Sequence, residues 1–242
     1  MSAICILGES PLVQEYATLA LANGHAVSAR VNTRPSPLPK GVKKTARPMK
    51  SAVIAFELTN TSRDTKRKNI VELDKVLPAC TPILSSSVTV TLAEQSGWVK
   101  HPQRLIGIGA LPSLLDGQLV ELVAPIANGE SVLHHAQEFI RNLGKESVVV
   151  KDSVGMVMPR ILCMLANEAY FAMMENVAPG SEIDTAMKLG TNYPRGPVDW
   201  ADRMGIGQVF AVITSLFAAF GEDRYRPAPL LRQMSLANQR SD

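Results

Sequence analysis

The stretch from Glu182 to Gly205, E-I-D-T-A-M-K-L-G-T-N-Y-P-R-G-P-V-D-W-A-D-R-M-G, leaves the chain few choices: it reads as two short helices and the joint between them. Ser181 stands where an N-cap residue belongs, and Asp184 follows three residues later in a capping-box-like arrangement. Gly190 falls just past Ala186, Met187 and Leu189, where a left-handed C-cap is usual. Pro194, Gly196 and Pro197 then make a tight corner. Pro197 suits the first turn of the next helix, where a missing N–H costs nothing.

The other end of the chain is organised differently. Ala3 to Leu7 is a short apolar run closed by Gly8, Val13 to Ala22 has a helical pattern stopped by Gly24, and Ala26 to Val31 is a second apolar run. Strand, glycine turn, helix and strand make the opening unit of a dinucleotide-binding α/β layer. Such a turn normally carries G-x-G-x-x-G, so that backbone amides at the helix N-terminus approach a diphosphate. Here it reads Gly8-Glu9-Ser10-Pro11-Leu12-Val13. Only the first glycine is present, Pro11 lacks an N–H, Val13 is bulky, and Glu9 adds negative charge. The second strand ends Arg30-Val31-Asn32, without the acid that would hold a ribose; Arg30 would instead suit a 2′-phosphate if that turn bound one.

Further strands are expected at Ala52 to Leu58, Pro82 to Ser86, Arg104 to Ile108, Leu119 to Val123 and Ser147 to Val150. Helices are expected at Asp64 to Leu77, Ser131 to Asn142, from Pro159 through Val177, and at Val209 to Phe220. The helix opening near Pro159 carries Val157, Ile161, Met164, Leu165, Ala169, Ala172 and Met173 close to helical spacing, a stripe suited to a core or a subunit interface. Thr33 to Lys50 is basic and proline-punctuated, with Arg34, Lys40, Lys43, Lys44, Arg47 and Lys50 and no acid. It is either a solvated connector or a landing site for a phosphorylated ligand.

Bulk properties exclude some functions. A formal net charge of +3 gives no case for nucleic acid, and no apolar run approaches the roughly 18 to 20 residues of a membrane span. Cys5, Cys80 and Cys163 have no metal-ligand spacing and point to a reducing cytoplasm. The N-terminus shows no signal-peptide pattern.

The corner resembles the D-I-D-x-A-M-K-x-G-x-x-Y-P-x-G-P-x-E motif of the NAD-dependent (S)-3-hydroxyacyl-CoA dehydrogenases. Ile183-Asp184, Ala186-Met187-Lys188, Gly190, Tyr193-Pro194 and Gly196-Pro197 carry the likeness. Asp152-Ser153-Val154-Gly155 with Arg160, Asn167-Glu168-Ala169, and Arg224-Tyr225-Arg226-Pro227-Ala228-Pro229-Leu230-Leu231 extend it. The resemblance implies a reduced Rossmann-like parallel-sheet domain over 1–151 and a helical, dimerising domain over 152–242. It also implies NAD as cofactor and a CoA thioester as ligand, with Gly8, Ser10, Lys66 and Ser86 at cofactor positions and Lys43 and Lys44 at substrate positions.

In that family a strand R-x-x-G-x-H-F-F-N-P ends in a histidine that removes the hydroxyl proton, and a glutamate twelve residues on orients it. The corresponding run here is Arg104-Leu105-Ile106-Gly107-Ile108-Gly109-Ala110-Leu111-Pro112. The histidine position is Gly109, the orienting acid is Glu121, and the two cleft asparagines are Pro112 and Pro159. The family's later helix and tail have no counterpart before Asp242. His25, His101, His134 and His135 read as surface or packing residues. Two expectations stand side by side: a repurposed, non-catalytic homodimer that serves as a scaffold or binds acyl-CoA-type ligands, or a working oxidoreductase that uses Glu121 and Ser86.

Overall fold

The structure, a computed structural model, describes residues 2–32 and 37–237. Arg34 of the basic loop therefore lies outside the described residues. The elements run β1 (Ala3–Gly8), α1 (Leu12–Ala22), β2 (Ala26–Val31), β3 (Lys43–Lys44), β4 (Ile54–Leu58), α2 (Arg63–Val76), β5 (Ile83–Ser86), α3 (Leu92–Ser96), β6 (Leu105–Ile108), β7 (Leu119–Val123), α4 (Glu130–Asn142) and β8 (Glu146–Val150). A helical region comes next: α5 (Met158–Met174), α6 (Gly180–Thr191), α7 (Pro197–Met204), α8 (Ile206–Phe220) and α9 (Pro229–Ala237).

The strands form one sheet in the order β3-β2-β1-β4-β5-β6-β7-β8. Every pairing is parallel except β6 with β7. The sheet is otherwise the Rossmann-like parallel sheet expected from the residues. Only 109–118 separate β6 from β7, too few for the crossover that a parallel neighbour needs. Ile4 and Ile6 face one side, under α1 and α4, with Tyr16, Phe56 and Phe139 in that core. Cys5 and Leu7 face the other side, whose core continues through Ile70 and Leu73 of α2 into Cys163, Tyr170, Val212 and Ile213 of the helical region. Arg104, fully buried beside β6, fastens α2 by donating to Asp74 and to the carbonyls of Leu77 and Pro78.

The expected corner is there, with different caps. Helix α6 starts at Gly180 behind Pro179, so Ser181 lies inside the helix and does not cap it. The helix also runs through Gly190 to Thr191, and Asn192 takes the left-handed position. Asp184 reaches forward instead: its two carboxylate oxygens accept from Val198 N and Asp199 N, 2.8 and 2.9 Å away, at the start of α7. A Cβ on Gly196 would collide with that carboxylate, so the glycine is what lets α6 approach. Helix α5 stops at Met174, short of Val177. Asn176 is left-handed there, and Val177 N and Asn176 N donate back to Ala172 and Met173 in a Schellman motif. A further helix, α9, does follow the Pro227–Pro229 segment, contrary to expectation. Among the described residues no single helix is long and apolar enough to cross a membrane.

Candidate functional site

In an open α/β sheet, ligands bind outside the carboxyl ends of the strands. Here that edge is formed by the loops that leave Gly8 of β1, Leu58 of β4, Ser86 of β5 and Ile108 of β6, and the first turn of α8 lies against it. Gly8 is needed for packing: a Cβ there would come 2.6 Å from the Leu58 carbonyl oxygen.

Glu9, next in the turn, is 1% exposed. Its Oε1 accepts from Asn60 N at 2.8 Å and from Gln208 Nε2 at 2.5 Å; its Oε2 accepts from Thr61 Oγ1 at 2.6 Å. Asn60 Nδ2 donates to the Ala110 carbonyl and to Gln208 Oε1, each at 2.9 Å. Ser86 Oγ donates to Asn60 Oδ1 at 2.6 Å, so this fully buried hydroxyl already has a partner. These residues do not fit a dinucleotide. Pro11, at the N-terminus of α1, has no N–H to offer a diphosphate, and the anionic side chain of Glu9 fills the adjoining space.

Lys66 lies one layer deeper, 1% exposed, with its ammonium 2.5 Å from Glu57 Oε2 and 2.8 Å from Ser86 O. Asn69 and Ser85 complete the hydrogen bonding of Glu57. Lys66 thus presents its charge to Glu57 and to the β5 end. Ser10 lines the outer wall of a cavity of ≈ 400 Å³ with Asp202, Arg203 and Ser235. A second cavity, ≈ 430 Å³, adjoins it through Thr61 and Gly207 and is walled by Val90 and Phe210.

Gly109 and Glu121 do come together: a Cβ built on Gly109 would lie 3.2 Å from Glu121 Cβ, 3.6 Å from its Oε2 and 3.5 Å from Met156 Sδ. The carboxylate is not waiting for an imidazole. Its oxygens accept from Val157 N at 2.9 Å and Met158 N at 2.6 Å, capping α5 where the helix dipole favours an anion. Pro159 is buried in the first turn of that helix, as its missing N–H requires. The four histidines lie elsewhere. His25 and His101 precede β2 and β6, at the opposite edge of the sheet, and His134 and His135 sit in the middle of α4. His101 pairs with Asp74.

Lys43 and Lys44 make up the whole of edge strand β3 and are exposed, a placement that also discourages sheet-to-sheet association. Arg30 donates to Glu72 at 2.6 Å, to Asn69 and to the Ala46 carbonyl, so its charge ties β2 to α2. Among the described residues no group of three or more His, Cys, Asp or Glu is placed to hold a metal.

One acid in this half is set apart by its environment. Burial pushes the Glu15 carboxyl up from 4.5 to about 7, against the Ser113 N–H that it accepts and with some help from Asp116. Between those values the native state holds a proton that the unfolded chain releases. Stability from this group is therefore greatest below about pH 4.5 and falls as the pH rises to about 7. Glu15→Gln should flatten that slope and raise the melting temperature at pH 8 relative to wild type. An unchanged difference between pH 5 and pH 8 would refute this assignment.

Sequence reasoning missed Glu57, Asn60 and Gln208. Glu57 left a signal, an acid inside the apolar strand Ile54-Ala55-Phe56-Glu57-Leu58, which demands a buried partner. Gln208 left none, because its partner Glu9 lies 199 residues away.

An eight-stranded sheet of this order, joined to a helical region, is a Rossmann-like architecture. Residues 15–153 match the model of the 3-hydroxyacyl-CoA dehydrogenase NAD binding domain, and 155–241 that of the 3-hydroxyacyl-CoA dehydrogenase C-terminal domain. A probable 3-hydroxybutyryl-CoA dehydrogenase of Bacillus subtilis is 30% identical over 192 residues, 79% of this chain and 67% of that protein. A 3-hydroxybutyryl-CoA dehydrogenase of Bradyrhizobium diazoefficiens is 31% identical over 74% of this chain, and the match spans only 61% of its length. The crystal structure of an (S)-3-hydroxybutyryl-CoA dehydrogenase from Ralstonia eutropha superposes with a TM-score of 0.80 at 25% identity, covering 98% of this chain and 94% of that one. The chain belongs to the 3-hydroxyacyl-CoA dehydrogenase family.

Proposed function

We propose that this chain is a member of the family that no longer performs hydride transfer and acts as a homodimeric scaffold, with a CoA thioester as the ligand to test. The observation that carries the reading is at β6: Gly109 offers no proton acceptor, and both oxygens of Glu121 are held by the first amides of α5. General-base assistance is worth roughly 10² to 10⁴ in rate, and among the described residues no histidine lies at this edge to supply it. The dimer is supported by Val157, Met158 and Ile161, apolar and exposed along the start of α5, and by exposed Val148 and Val149 on edge strand β8. Cys5, Cys80 and Cys163 are unpaired, which fits a reducing cytoplasm.

The names of the relatives favour a second reading, an active NAD-dependent oxidation of (S)-3-hydroxyacyl-CoA through Glu121 and Ser86. The two part in a spectrophotometric assay with acetoacetyl-CoA and NADH. No turnover is expected from the wild type, or from Gly109→His, where the new Cβ would lie 3.2 Å from Glu121 Cβ and the glycine-poor turn would remain. Oxidation of NADH that depends on acetoacetyl-CoA, by either protein, would overturn the proposal. Sedimentation should give twice the chain mass. Calorimetry with acetoacetyl-CoA, repeated on Lys43→Glu/Lys44→Glu, tests the basic edge.

A further inference from the structure

Beneath the two cavities at the strand ends, we propose that Glu9, Asn60 and Gln208 form a latch that holds the helical region against the sheet without any ligand. Three strand ends and one helix meet in it. Glu9 follows β1, Asn60 follows β4, Ser86 ends β5, and Gln208 stands in the first turn of α8. Gln208 is 6% exposed and bonds through both ends of its amide: Nε2 donates to Glu9 Oε1 at 2.5 Å and Oε1 accepts from Asn60 Nδ2 at 2.9 Å. Asn60 is tied in turn to Ser86 and to the Ala110 carbonyl.

The donors to Glu9 are neutral: the main-chain amides of Asn60 and Thr61, the Gln208 side-chain amide and the Thr61 hydroxyl. A dehydrated carboxylate is stable only when such donors are all in place. One of them comes from the helical region, so swinging α8 away strands the charge. The same negative charge repels a diphosphate at the turn. The latch therefore accounts both for the contact between sheet and helical region and for the misfit to a dinucleotide. It is independent of the assignment of Glu121, because it concerns a different set of side chains.

Hydrogen exchange of the full chain tests it, with Gln208→Glu and Gln208→Ala beside the wild type. Gln208→Glu sets two carboxylates in contact, and exchange should quicken at least tenfold both at Asn60 and Thr61 and in the first turns of α8, while Ile6 and Ala55 in mid-sheet stay protected. If Gln208→Glu loses the mid-sheet protection, Gln208→Ala carries the test, with several-fold faster exchange expected at the same two places. Quickening confined to Asn60 and Thr61, with α8 unchanged, would reduce the cluster to local hydrogen bonding and overturn the latch. NADH fluorescence should show no binding to the wild type; binding that adds protection at Asn60 and Thr61 would overturn it as well.

Discussion

Lys66→Met is expected to destabilise the protein by about 3–5 kcal/mol, the range for removing one partner of a buried ion pair. Lys66 and Glu57 are 1% and 0% exposed, with their charged atoms 2.5 Å apart. Take away the ammonium and Glu57 keeps only Asn69 Nδ2 at 3.1 Å and Ser85 Oγ at 3.2 Å, both neutral donors. The Ser86 carbonyl loses the nearer of two donors at the same time and keeps Gln95 Nε2 at 3.1 Å. The loss would be a large part of the total stability of a domain, roughly 5–15 kcal/mol. Urea unfolding should show a lower midpoint with an unchanged slope. Replacing both residues, Lys66→Met with Glu57→Leu, should lie closer to wild type than Lys66→Met alone, since no unpaired charge is then buried. A loss below about 1 kcal/mol for the single change would mean an ammonium that solvent reaches, as a cofactor-facing lysine's would be.

The second large effect lies at the helical corner. Gly196→Ala should cost about 2–4 kcal/mol, combining the overpacking of a tight contact with the loss of a helix cap. The new methyl group would fall on the carboxyl group and Cα of Asp184, which caps α7 through Val198 N and Asp199 N. Asp184→Ala removes only the cap and should cost about 0.5–2 kcal/mol. The double variant should fall short of the sum, because without the carboxylate the methyl group has less to displace. Strict additivity in thermal unfolding would show that the two residues act apart, against the observed contact.

Much of the fold was legible because local chemistry repeats along the chain. The strands at Ala26–Val31 and Leu119–Val123 appear with the bounds read from the residues. The helix α2 differs by one residue at each end, capped by Ser62. Apolar period, glycine stops and proline placement are near-neighbour properties, and they suffice for that. The caps of α6 were misread for the same reason: Ser181 and Asp184 satisfy a local rule, and the tertiary contact with α7 drew Asp184 away from it. The missing histidine at 109 could also be read directly. The fate of Glu121 could not, since an acid twelve residues on suits either an imidazole or a helix end.

By itself, then, the sequence determined the order of strands and helices apart from β3, α3 and α9, the tight turn before α7, and the lack of an imidazole and of fingerprint glycines. Only the tertiary structure decided what the charged side chains do. Glu121 caps α5, Lys66 pairs with Glu57, and Glu9 meets Gln208 from the far end of the chain. A carboxylate serves as a base, a cap or a fastener according to which N–H groups come within about 3 Å, and folding alone brings those groups there.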